Sequence, residues 1–162
     1  MSEKKEIKIR PMVEDDLAKV NAIDQSITGQ GRVTTWPFSF EAYWRVYSKE
    51  ALVFVAELNG EVVGFISGYI EHAKRSTSML EHPHEAVHRT DETVGWIEMM
   101  GIRPDCWHMG IGGRLVAAFE QACKKQNAKM RIVVREGDRD LTAFLERAGF
   151  KKSELTTYEK AV

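Results

Sequence analysis

The stretch that most constrains this chain is "LVFVAELNGEVVGFISGYI", Leu52 to Ile70. Two β-branched runs meet at Asn59-Gly60, a pair suited to the positive φ angles of a type I′ turn, so the segment reads as a tight antiparallel hairpin. Ahead of it, "EIKIR" alternates like a strand. Val13, Leu17, Val20, Ile23 and Ile27 then fall at spacings of three and four, with Asp15 and Asp16 near the start, as in an amphipathic helix. "TGQGRVTTWPFS" has loop composition, and "FEAYWRVY" reads as a short aromatic helix. Behind the hairpin, the polar stretch Glu71 to Thr93 has no strong period and is long for a connection. "VGWIEMMGI" is a strand ended by Pro104. Ile111, Leu115, Val116, Phe119 and Cys123 recur at helical spacing, with Lys124 and Lys125 at the C-terminal end. "MRIVVR" reads as a strand buried on both faces, and "RDLTAFLERAG" as a helix stopped by Gly149. "FKKSELTTYEK" closes the chain as one or two strands. The pattern is α/β, and residues 1–162 read as a single domain without repeats or linkers.

Between a strand and a helix stands "IRPDCWHMGIGGR", Ile102 to Arg114, with glycines at 110, 112 and 113. The first turn of a helix leaves N–H groups unpaired and carries partial positive charge. Glycine there removes the Cβ that would keep a phosphate away, although tight strand–helix packing selects glycine equally well. A dinucleotide fingerprint fails, because G-x-G-x-x-G belongs after the first strand and here the glycines come late, behind a hairpin. A P-loop fails because G-x-x-x-x-G-K-[ST] is missing.

A formal net charge of −1 gives no global pull toward nucleic acid or an anionic membrane. The longest apolar runs fall far short of the roughly 20 residues of a membrane helix, and the charged start "MSEKKEIKIR" lacks a secretory apolar segment. A cytoplasmic location is expected. Cys106 and Cys123 suggest neither a disulfide framework nor a zinc site. His82, His84 and His88 in "EHPHEAVHR" have a metal-ligating reading, but no regular element fixes the rings on one side, so no metal is expected. Trp36, Phe38, Tyr43, Trp44 and Tyr47 read mostly as core, with Trp36 and Phe38 as walls of an acceptor pocket.

Over nearly its whole length the chain resembles the GNAT family of acetyl-CoA-dependent N-acetyltransferases. "MMGIRPDCWHMGIGGRLV" is similar to that family's strand, x-P turn, [QR]-x-x-G-x-[GA] loop and long helix; "AFLERAGF" is similar to its A-x-x-L-Y-x-x-x-G-F segment. The resemblance implies a mixed, mostly antiparallel sheet of about six or seven strands, splayed at the cofactor strand and flanked by about four helices. It implies acetyl-CoA as co-substrate and an amine as acceptor, and leaves a homodimer open. The CoA diphosphate would sit on N–H groups between about His108 and Arg114, that is at Met109, Gly110, Ile111, Gly112 and Gly113, with Trp107 in the loop. The pantetheine arm would pair along Met100, Gly101 and Ile102, and Asp138 falls in the family's N-x-x-A segment.

Three positions depart from the family pattern. Trp107 stands for the loop-ordering Arg or Gln, Asp138 for Asn, and Leu145 for the tyrosine that protonates the departing thiolate. A thiolate of pKa near 8.5 is still a fair leaving group, so water or Tyr158 would serve instead. The attacking amine must lose a proton, and Glu98, mid-strand in "GWIEMMGI", is the chosen base, its carboxyl pKa expected to be raised by burial. Glu71 and His72 stand in reserve. N–H groups near Met99 and Met100 would face the developing oxyanion. Neither cysteine is placed for a covalent intermediate, so direct attack in a ternary complex is expected. The competing reading is a CoA-binding protein of the same fold without transferase activity.

Overall fold

Asn59 and Gly60 have φ of 52° and 84°, so the chain doubles back in a tight turn with both central residues left-handed, as the dipeptide predicts. The computed structural model describes residues 6–28, 39–72, 92–135 and 137–153. The hairpin strands β2 (Leu52–Leu58) and β3 (Glu61–Glu71) form the middle of a mixed sheet with β1 (Ile7–Pro11), β4 (Val94–Ile102) and β5 (Lys129–Ile132), in the order β1-β2-β3-β4-β5. Neighbours from β1 to β4 run antiparallel, and β4–β5 runs parallel. Four helices belong to the described residues: α1 (Leu17–Thr28), α2 (Phe40–Tyr47), α3 (Ile111–Lys125) and α4 (Arg139–Arg147).

Strand alternation sends side chains to two separate cores. On one face Val20, Ile23 and Ile27 of α1 and Phe40 and Tyr43 of α2 cover Val53, Val55, Phe65 and Met99. On the other, Ile111, Leu115, Val116, Phe119 and Cys123 of α3 cover Ala56, Val63, Ile66 and Ile97. Val13 does not join the stripe expected for α1; it is 53% exposed, because a 3-10 turn over Glu14–Asp16 precedes the helix. No described helix is long and apolar enough to cross a membrane.

Five of the six or seven expected strands fall among the described residues, and residues 154–162 of the closing segment lie outside them. One expectation needs correction. "MRIVVR" is not a strand buried on both faces: β5 ends at Ile132, and Val133 is 60% exposed. The reason is that β5 keeps its ladder with β4 only from Val94↔Lys129 to Ile97↔Ile132. Beyond Ile132 no ladder with a described strand continues, and Val133 stands exposed.

The start of α1 is tied to the sheet by charge. Arg10 donates to both oxygens of Asp16 (2.6 and 2.9 Å) and pairs with Glu57 at 2.7 Å. Asp16 is 3% exposed and also accepts from the Val13 N–H at 2.9 Å. The Arg10 hydrogen bonds first, with the Val13 N–H contributing, hold the Asp16 carboxyl below the ordinary aspartate range. Asp16→Ala is expected to cost about 3 kcal/mol, read by urea unfolding at neutral pH. Because the folded-state value is depressed, this contribution is fully present above about pH 4 and is lost as pH falls through the folded-state pKa. The wild-type and variant stabilities therefore converge in acid; a gap independent of pH contradicts the assignment.

Candidate functional site

β4 changes partners at one residue. Ser67 pairs with Met99 and Gly68 with Ile97, leaving Glu98 as the extra residue of a β-bulge. Gly68 permits it, since a Cβ there would stand 1.8 Å from the Trp96 carbonyl oxygen. Ile97 is also the last residue of β4 paired to β5, so Glu98 is the first beyond that ladder. The bulge shifts the side-chain alternation: Ile97, Met100 and Ile102 join the α3 core, whereas Met99 joins the α1–α2 core.

The backbone beyond the ladder is turned outward in a predictable way. The Arg103 N–H donates to the Val63 carbonyl at 2.8 Å. Alternation in an antiparallel pair then aims Gly101 and Met99 at β3, and Met100 and Ile102 at the opposite side, where β5 has parted. Of the two N–H groups expected near the oxyanion, Met100 is thus on the open side and Met99 is not. Gly101 is buried for a packing reason, since a Cβ would come within 2.7 Å of Ile27 Cδ1 and Phe65 Cε1. The Ile102 carbonyl accepts the Trp107 indole N–H at 2.8 Å. The indole therefore clasps the loop to the end of β4.

The three loop glycines differ in what they do. Gly110 caps α3 at φ 78° in the left-handed region. Gly112 is a packing glycine, as a Cβ would lie 3.2 Å from the Phe144 ring of α4 and 3.3 Å from Ile102 Cδ1. At Gly113 a Cβ would meet nothing within 4 Å. His108 is also left-handed, at φ 64°, and exposed; Met109 is half-buried against the α3 core and Ile111 is buried. Helix geometry leaves the N–H groups of Ile111, Gly112 and Gly113 without partners in the helix. The Arg114 N–H donates to the Gly110 carbonyl at 3.3 Å and its guanidinium to the Ile7 carbonyl at 3.1 Å, which ties the first turn of α3 to β1. Asp138 is the N-cap of α4, its carboxylate accepting the Leu141 N–H at 3.0 Å. Leu145 is buried at 5% exposure.

Glu98 lines a narrow cleft between β3, β4 and α2 with Tyr43, Tyr47, Glu50, Ala51 and Tyr69, which has room for about one water molecule. Burial first, and then the Glu98 charge, push the Tyr43 hydroxyl above the ordinary tyrosine range. Tyr69 and Ser67 carry no motif that would mark them; Tyr43 reads as core from sequence, and only the bulge aims Glu98 at it. The reserve pair lies elsewhere. Glu71 sits opposite Val94, at the other end of β4 from the loop, and accepts the Trp96 indole N–H at 3.0 Å. Cys106 is buried at 3% exposure, and its Sγ accepts from Arg103. Trp36, Phe38, His82, His84, His88 and Tyr158 lie outside the described residues.

No curated protein matches this sequence. Its fold is similar to solved structures of low identity. Aminoglycoside N-acetyltransferase AAC(6')-Iy in complex with CoA has a TM-score of 0.71 at 14% identity, over 99% of this chain and 98% of that one. AAC(6')-Iy with the bisubstrate analog CoA-S-monomethyl-acetylneamine gives 0.70 at 15%, over 97% and 99%. The aminoglycoside 6'-N-acetyltransferase AAC(6')-Ih from Acinetobacter baumannii gives 0.68 at 15%, over 97% and 99%. The model of the acetyltransferase (GNAT) family matches residues 20–150, a span that includes the hairpin, the bulged and parting β4, and the glycine-capped α3. That match takes in most of the chain, and the chain belongs to the GNAT family of acetyltransferases.

Proposed function

We propose that the protein moves an acetyl group from acetyl-CoA to a primary amine by direct attack in a ternary complex, with Glu98 taking the proton from the amine. The observation that carries this is a coincidence on one strand. The β4–β5 ladder ends at Ile97↔Ile132, the bulge at Glu98 follows at once, and the outward backbone of Met100 leads to the helix mouth at Gly110–Gly113. An extended arm fits beside Met100 like an added strand, and an anionic linker fits against the amides from His108 to Gly113, where Gly113 leaves room for close approach. That AAC(6')-Iy has been solved with CoA and with an analog joining CoA to an acetylated amine supports the same use of the fold here.

Bound acetyl-CoA supplies an activated thioester, whose carbon–sulfur bond breaks as the carbon–nitrogen bond forms. The chain then has three tasks. Glu98 accepts the proton of the amine, directly or through the single water its cleft can hold. The Met100 N–H, fixed by the sheet, faces charge developing on the carbonyl oxygen. Asp138 caps α4 and so seats Phe144 behind Gly112, keeping the mouth in shape. Leu145 supplies no acid, and the thiolate takes its proton from solvent.

The test combines binding and turnover. Acetyl-CoA at about one hundred times its Kd is expected to raise the Tm by roughly 5–10 °C. A panel of a polyamine, an aminoglycoside, a free amino acid and a lysine peptide should then give CoA thiol release above background for at least one member. A raised Tm with no release from any amine supports the CoA-binding alternative; no change in Tm overturns both. Trp107→Phe keeps the ring but removes the donor to Ile102, and should raise the KM for acetyl-CoA about fivefold with kcat within twofold. An unchanged KM would mean the clasp does not shape the loop.

A further inference from the structure

The cleft beside Glu98 has one wall that does not belong to the sheet. Tyr43 and Tyr47, one turn apart on α2, both line it. A helix of 8 residues does not hold itself in water, so what fixes this wall lies outside it. Two side chains on one face of α1 reach across to its first turn. Asp24 accepts the Phe40 N–H at 3.0 Å, and Asn21 accepts the Glu41 N–H at 3.1 Å. Ser39, the N-cap, accepts the Ala42 N–H at 3.3 Å, so the leading donors of α2 all end on side chains. Further along, the Trp44 indole donates to Glu14, in the 3-10 turn before α1, at 3.1 Å. Asp24 is 6% exposed, and Phe40 is fully buried with its ring 5.8 Å from Tyr43 and 5.0 Å from Phe65 of β3.

We propose that Asp24 and Asn21 are positioning residues for the acceptor amine: by capping α2 from α1 they hold Tyr43 and Tyr47 where they set the width of the Glu98 cleft. This rests on the reading of Glu98 as base. Without the Asp24 carboxyl the Phe40 N–H is buried with no acceptor, and the first turn of α2 must shift or open to reach water. The Phe40 ring belongs to that turn, so it moves, and the Tyr43 ring against it moves too. The positions proposed for the cofactor are spared, because α3 packs on the opposite face of the sheet from α1 and α2. Full ionisation of Asp24 is not what the contact needs. Burial first works to raise its carboxyl pKa, with the Phe40 N–H opposing, and an amide oxygen in the same place also accepts an N–H.

The test is steady-state thiol release by the whole protein, with each amine of the panel that is turned over. In Asp24→Ala the KM for the amine should rise about tenfold with the KM for acetyl-CoA within about twofold, and Asp24→Asn should return the amine KM to within about threefold of wild type. An unmoved amine KM in Asp24→Ala overturns the proposal, and so does an equal rise for acetyl-CoA, which would mark a general loss of structure. Asp16→Ala, which weakens the chain at the start of the same helix, should leave the amine KM unchanged; a comparable rise there overturns the proposal. If Asp24→Ala does not fold, Asn21→Ala carries the test, with the amine KM expected to rise about threefold and an unmoved value counting against the proposal equally. Failure of the parent reading has a different signature. It appears as undiminished acetyl transfer by Glu98→Gln, which leaves the amine KM and its shift in Asp24→Ala readable.

Discussion

Replacing Glu98 by Gln lowers kcat for acetyl transfer about 100-fold and leaves the KM for acetyl-CoA nearly unchanged; that is the expected result, and the size follows from what a positioned general base contributes. The substitution is close to isosteric, so the bulge and the wall of the cleft stay as they are. What changes is that an amide cannot accept the amine's proton. The positions proposed for the cofactor lie beyond Glu98 along β4 and in the loop, which is why binding should be spared. The loss should shrink as the pH is raised toward the pKa of the amine, because an acceptor already deprotonated in solution needs no base. Steady-state rates of thiol release from pH 6 to 10 provide the check. An equal loss at every pH would mean that Glu98 serves geometry rather than proton transfer, and an unchanged rate would remove it from the mechanism.

Gly113→Asp should weaken acetyl-CoA binding at least tenfold, a difference of about 1.4 kcal/mol, without lowering the Tm. The two halves of this result have separate causes. A Cβ at Gly113 has nothing within 4 Å, so the side chain enters without a clash. A carboxylate in the first turn of a helix suits the partial positive charge there, and aspartate is a better helix residue than glycine, so stability should hold or rise. The same carboxylate occupies the place of an anionic linker and repels it. Isothermal titration with acetyl-CoA, together with a melting curve, separates binding from folding. Unchanged affinity in a stable variant would show that the mouth of α3 holds no phosphate, and with it the reading of the glycine loop would fall. Gly112 makes a poor substitute for this test, since its Cβ would press on Phe144 and confuse packing with binding.

Much of this molecule is written in local pattern. Asn59-Gly60 set the hairpin, the spacing of Val20, Ile23 and Ile27 set the buried face of α1, and Ile111 to Cys123 set that of α3. The order of hairpin, strand, glycine loop and helix carried the family, and Glu98 stood out as an acid inside an apolar strand. These features are legible because turn chemistry and side-chain periodicity act over a few residues, within reach of sequence alone. What the tertiary structure decided lies in contacts between distant segments. It set neighbouring glycines apart, since the arrival of Phe144 from α4 and Ile102 from β4 distinguishes Gly112 from Gly113. It tied Arg114 to Ile7, far away in the chain, through a guanidinium–carbonyl hydrogen bond. It set Tyr43 and Glu98 along one narrow cleft, beside a bulge that depends on a glycine in the facing strand. A strand's register and the point where it parts from its neighbour are set by the fit of whole sheet faces against their helices, and no window of one strand contains that information.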